Sequence, residues 1–297
     1  MAEAAPHAAR GLSVLALAFN ALVWGLSWWP LRTLHDLGVH PLWATALVYG
    51  AVLLAMGLWK PSMLRGMRSH RGLWWLALAS GLTNVCFNWA VTVGDVVRVV
   101  LLFYLMPAWS VLLAWALLNE RPRLGALMRL VLALAGVTLV LKPVDSPWPV
   151  PEGLADGLAL AGGLSFALTN VLLRRLRDTP GESRALAMFG GGTVTALLVA
   201  LATQGGAALQ ALQAAPLAQW LPVAFGLATA FLLGNLALQY GAARLPAQVT
   251  ALVMLSEVVF ASLSSVALGA AELSARTLTG GALVVLAAAL AAWPRAR

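Results

Sequence analysis

The chain has 297 residues, of which 61% are hydrophobic and 10% charged, and its formal net charge is +8. A water-facing domain carries roughly 25% charged residues, so this composition excludes a soluble globular protein. The basic residues lie in short loops between apolar stretches, where they act as topology signals, so nucleic acid is excluded as the partner.

The first apolar stretch runs from Leu12 to Leu34. It has no small-residue cleavage site after a short core, so it reads as a retained helix rather than a signal peptide. Four more stretches follow at Pro41–Leu58, Gly72–Val93, Val96–Leu118 and Leu124–Leu141. Each approaches the roughly 20 apolar residues that a bilayer-spanning helix needs. The Pro-rich, acidic segment KPVDSPWPVPE then interrupts the pattern at the midpoint. Five further stretches lie at Gly153–Leu173, Ala185–Thr203, Ala218–Ala242, Pro246–Leu268 and Ala275–Trp293. Continuous Leu/Ala/Val runs, without ten-residue alternation, exclude a β-barrel. The expectation is an all-α integral membrane protein of ten transmembrane helices. Residues 1–142 form its first half, 143–152 a periplasmic linker and 153–297 its second half.

With both termini in the cytoplasm, only Arg32, Arg98, Lys142 and Arg276 of the 19 Lys and Arg residues fall outside. That bias supports an inner-membrane protein with an even number of spans. Cys86 is the only cysteine and sits within an apolar span, so a disulfide, a Cys-based zinc site and an iron–sulfur cluster are excluded within one chain. No cofactor and no metal are expected.

The halves share a polar register. Asn84, Asn88 and Trp89 in "NVCFNWA" recur as Asn235, Gln239 and Tyr240 in "NLALQYG". Five helices per half is an odd number, so the second copy enters the membrane inverted relative to the first. Inverted repeats characterise secondary transporters, whose substrate site lies between the repeats near mid-membrane. Chance alignment of two Leu/Ala-rich helices is the competing explanation.

Glu257 is the foremost candidate for chemistry. Counted from Pro246 at 1.5 Å per residue, it lies roughly 16 Å into its helix. An ionisable group at that depth costs about 2.5–3.5 kcal/mol and usually faces a cavity. It could pair with a substrate ammonium or carry a proton; a protonated Glu bonding a neighbouring helix is the alternative. The i, i+4 pairs Asn84/Asn88 and Asn235/Gln239 each project from one helix face. They could bind the polar head of a zwitterion or simply join helices. Ser27 and Asn170 are weaker candidates of the same kind. Trp24 and Trp109 lie deep enough to line a cavity, whereas Trp59, Trp74, Trp75, Trp148, Trp220 and Trp293 fall at span ends as an interfacial belt. Pro107 is expected to kink the fourth helix. Gly153, Gly157 and the run Gly190–Gly192 suit close helix packing.

On these motifs the chain resembles the drug/metabolite transporter superfamily, and within it the EamA-type ten-helix exporters. The resemblance rests on "ALVWGLSWWPLR" with Trp24, Gly25 and Ser27, and on Pro107 followed by Glu120 at the end of the fourth span. The stretch from Asn88 to Trp115 is similar to the aromatic-amino-acid exporter branch. One departure is Val258 after Glu257, where the family commonly has Pro. The resemblance implies helices one, three, four, six, eight and nine around a central cavity, with five and ten peripheral. It implies export of amino acids, aromatic ones included. The absence of a buried Arg clamp suggests a broad list that reaches related small metabolites or aromatic cations, and a monomer is expected. A channel-like or facilitative permease is the alternative. An intramembrane enzyme is a lesser one, because no His falls within a span and no HExxH or Walker A motif is present.

Overall fold

A computed structural model describes residues 4–59, 67, 70–106, 109, 112–113, 115–116, 124–141, 151–176, 178–242, 244, 253–254, 256–270 and 274–292. Every regular element among them is an α-helix. The first half holds α1 (Ala4–Leu26), α2 (Trp28–Asp36), α3 (Pro41–Trp59), α4 (Gly72–Val93), α5 (Val96–Phe103) and α6 (Leu124–Leu141). The second half holds α7 (Leu154–Arg175), α8 (Gly181–Ala214), α9 (Leu217–Ala242), α10 (Ser256–Ala267) and α11 (Ala275–Ala292). Six helices among the described residues are long and apolar enough to cross a membrane, and two shorter apolar ones lie at Ser256–Ala267 and Ala275–Ala287. The protein is a multi-pass, membrane-embedded helical protein.

The expected first span divides into α1 and α2 for a local reason. Pro30 has no N–H to offer the Leu26 carbonyl. Just before it, Ser27 N bonds Trp24 O at 3.2 Å in a tighter turn. The Ser27 hydroxyl donates to the same carbonyl at 2.8 Å. The seventh span likewise ends at a backbone break, Gly205, whose φ of 55° favours glycine.

Helix neighbours follow a mirrored plan. α1 packs on α9 and α10, and its counterpart α7 packs on α4 and α5. α3 pairs with α8, and α6 pairs with α11, both of which also touch α5. Backbones approach closely where these helices cross. A Cβ on Gly25 of α1 would sit 2.7 Å from Phe260 Cβ and 2.9 Å from the Glu257 carbonyl. A Cβ on Gly163 of α7 would sit 2.6 Å from the Phe103 carbonyl. In lipid, where apolar burial gives little drive between helices, such small-residue contacts supply the packing energy. By contrast, no described residue lies within 4 Å of a Cβ built on Gly153 or Gly157, so among the described residues neither marks a close helix crossing.

Candidate functional site

A chain of aromatic rings crosses the middle of the bundle. Trp24 on α1 stacks on Phe231 of α9 at 4.6 Å and meets Phe87 of α4 edge-on at 6.1 Å. Phe87 meets Phe103 of α5 at 4.8 Å, and Phe103 stacks on Phe166 of α7 at 5.4 Å. On the other flank, Tyr49 of α3 lies 5.6 Å from Phe231 and 5.5 Å from Phe189 of α8. Such offset and edge-on pairs each contribute about 0.5–1.5 kcal/mol beyond their area. Both halves supply rings.

The ring chain ends at Glu257. The Tyr104 hydroxyl, beside Phe103, donates to Glu257 Oε2 at 2.9 Å and also faces the Met254 carbonyl at 3.1 Å. Glu257 is buried, with 7% of its surface exposed. One phenolic proton cannot serve two acceptors fully. A proton on Glu257 would let the acid donate to Tyr104 while Tyr104 donates to Met254. The pair therefore has a bonding pattern for either charge state of the acid.

The amide pairs are partly committed to helix joining. Tyr49 donates its hydroxyl proton to Asn84 Oδ1 at 2.9 Å. Asn88 Nδ2 donates to Thr45 Oγ1 at 3.2 Å, while its Oδ1 is buried without a partner. Among the described residues, Asn170 Nδ2 reaches only the Met106 sulfur, at 3.8 Å. Asn235 is half-buried on α9 and has a polar partner. Trp109 packs against the core with its indole N–H buried and unpartnered. Pro107 and the side chain of Gln239 lie outside the described residues.

Ser27 bonds the Trp24 carbonyl one turn back and lines a groove of about 480 Å³ between α1, α2 and α9. One expectation is corrected. Trp220 is 9% exposed with its indole N–H buried and unpartnered, so it is not an interfacial belt residue. Trp59, Trp74 and Trp75 are exposed as a belt requires.

Several residues of the site escaped the sequence reading. Thr45, Tyr49, Phe87, Phe103, Tyr104 and Phe231 sit in apolar runs whose composition does not distinguish them from lipid-facing positions. Asn20 had a signal, a lone amide in the first span. It is fully buried and its Nδ2 donates to the Gly234 carbonyl at 2.8 Å, tying α1 to α9. Such interhelical bonds contribute about 0.6–2 kcal/mol in a membrane. Where α2 turns into α3, His40 lies against Trp89, and burial, with His35 adding, holds its pKa below the ordinary histidine value. Among the described residues no cluster of His, Cys, Asp and Glu could hold a metal.

A buried acid beside rings drawn from two interlocked helical halves defines the class: a polytopic helical membrane protein of transporter type. The model of the EamA-like transporter family matches residues 11–142 and again 153–293, and the chain belongs to that family. It is a membrane transporter of the drug/metabolite type. A solved crystal structure is similar over 94% of this chain and 95% of its own, with a TM-score of 0.57 at 24% identity. That likeness bears on the fold alone. No curated protein matches the chain.

Proposed function

We propose that the protein is a secondary transporter of ten transmembrane helices, two inverted five-helix repeats (1–142 and 153–297) joined by a periplasmic linker (143–152). Working as a monomer in the inner membrane, it exports amino acids, aromatic ones included, by alternating access. The observation that carries this reading is the Glu257–Tyr104 pair at the end of the ring chain. A zwitterion needs an acceptor for its ammonium group, polar partners for its carboxylate and an apolar wall for its side chain. Glu257 offers the first. Asn84, Asn88, Asn235 and Gln239 offer the second through their amide N–H groups, while the unpartnered Oδ1 of Asn88 is an acceptor that suits the ammonium beside Glu257. Trp24, Trp109 and Phe87 offer the third. The mirrored pairing of α1 with α10 and α7 with α5 supports the inverted repeat. No buried Arg approaches the ring chain among the described residues, which disfavours dedicated phosphate recognition.

Cells overproducing the protein are expected to tolerate toxic aromatic amino-acid analogues better than controls and to hold less of them inside. Equal accumulation with correctly inserted protein overturns the substrate assignment. Topology is tested separately. Reporter fusions at Arg68, Arg123 and Arg177 are expected in the cytoplasm, and those at Asp145 and Gln210 outside. Reversal at one site breaks the ten-helix arrangement.

A further inference from the structure

We propose that an ion pair between Arg98 and Asp156 latches the outer end of the protein shut and must separate once in each transport cycle. The idea rests on the alternating-access reading above, and it assigns that motion to named side chains.

The latch is built around the short turn joining α4 to α5. Asp95 caps α5 by accepting from Arg98 N at 2.7 Å, which fixes Arg98 in the first turn. From there Arg98 Nε donates to Asp156 Oδ1 at 2.9 Å and Nη2 to Oδ2 at 2.8 Å. This fork-to-fork geometry is the strong, orientation-specific form of an ion pair. Asp156 belongs to α7, in the second half, so the pair crosses the seam between the halves. Its side chain is 5% exposed, and it also accepts from Glu152 N at 2.9 Å. Glu152 itself is a lesser partner, 52% exposed and 3.4 Å from Arg98.

The same turn is gripped from its other side. Arg32 of α2 donates from Nε to the Val91 carbonyl at 3.2 Å and from Nη2 to the Gly94 carbonyl. No slack remains at the seam, since a Cβ on Gly94 would come within 2.5 Å of Ala155 Cβ. The outer end is thus fastened across the halves. At the other end of the bundle Arg244, just past α9, donates to the Tyr240 carbonyl at 2.9 Å and lies over the Tyr240 ring at 3.8 Å.

A pair of this kind, with Asp156 buried and Arg98 partly so, has two stable conditions. It is favourable intact, and favourable again once water reaches both charges, but a half-open pair strands a buried charge. Packed interfaces switch between such arrangements rather than stretching. The pair can therefore set the balance between outward-closed and outward-open forms without touching substrate, as positioning residues.

The test uses the full-length protein with Cys86→Ala and spin labels at Val93→Cys and Gly153→Cys, the ends of α4 and α7. With the latch intact, a short interlabel distance is expected to dominate. Asp156→Asn or Arg98→Gln is expected to raise a longer-distance population at least about tenfold, as removal of a state-specific contact shifts a minor conformer. The charge-swapped Arg98→Asp/Asp156→Arg protein is expected to recover the short distance. An unchanged distribution in both single variants overturns the latch. Should the single variants fail to insert, the swapped protein decides, and a persistent long distance in it overturns the proposal equally. The readout involves no substrate, so a failure of amino-acid export would sink the proposed function and leave these distances informative.

Discussion

Glu257→Gln is expected to reduce transport of aromatic amino acids in vesicles by roughly ten- to a hundredfold, with insertion and expression near normal. The substitution keeps the shape of the side chain and its bond with Tyr104, which can donate to an amide oxygen as to a carboxylate. It removes the charge that would hold a substrate ammonium and the site that would carry a proton. A hydrogen bond to a charged group contributes about 1.5–3 kcal/mol, and each 1.4 kcal/mol is a factor of ten, which sets the range. A second measurement separates charge from structure. The native protein should change its rate with pH as the acid gains and loses its proton, and the Gln variant should lose that dependence. Unchanged transport together with an unchanged pH profile would make Glu257 a helix-joining residue. Tyr104→Phe, which removes only the hydroxyl, is expected to lie between the two.

A larger effect on folding is expected at Gly191. Its position on α8 brings the helix backbone onto α4, so that a Cβ there would overlap the Ala77 carbonyl. The contact is reciprocal, because a Cβ on Gly81 of α4 would come 2.5 Å from the Gly191 carbonyl. Backbone cannot rotate aside as a side chain can, so Gly191→Leu must push the two helices apart. Overpacking in a dense core costs about 1–3 kcal/mol and occasionally more, and this site belongs at or above the upper end. α4 carries Asn84, Phe87 and Asn88, so its displacement would also dismantle the candidate site. The expected result is a sharp loss of monodisperse protein and a lower unfolding temperature in detergent. Gly157→Leu is the control, because its Cβ has none of the described residues within 4 Å. Equal behaviour of the two variants would mean that the α4–α8 crossing has more room than its geometry indicates.

The bilayer explains why so much of the fold is legible in one dimension. Each spanning helix must satisfy its own backbone and cover itself with apolar atoms, so the runs ending at Val93, Leu141 and Ala242 announce themselves by composition. Glu257 is equally visible, because a lone acid deep in such a run costs too much to be incidental. The polar repeat of Asn84/Asn88 and Asn235/Gln239 points to duplication for the same reason. Other features depend on how helices rotate against one another, and composition is blind to that. In an apolar span, Phe87 facing Phe103 and Leu82 facing lipid belong to the same alphabet. Only the assembled bundle gathers Trp24, Phe87, Phe103 and Phe231 into one ring chain and sets Tyr104 on Glu257. It likewise turns Asn88 toward Thr45, sends Ser27 to the Trp24 carbonyl and buries Trp220. The Arg98–Asp156 pair is the sharpest case. Each residue alone looks like an ordinary charge at a helix end, and their meeting depends on the close approach of Gly94 to Ala155 across the seam. Local hydrophobicity sets where the chain crosses the membrane, and side-chain complementarity between helices sets which residues meet there.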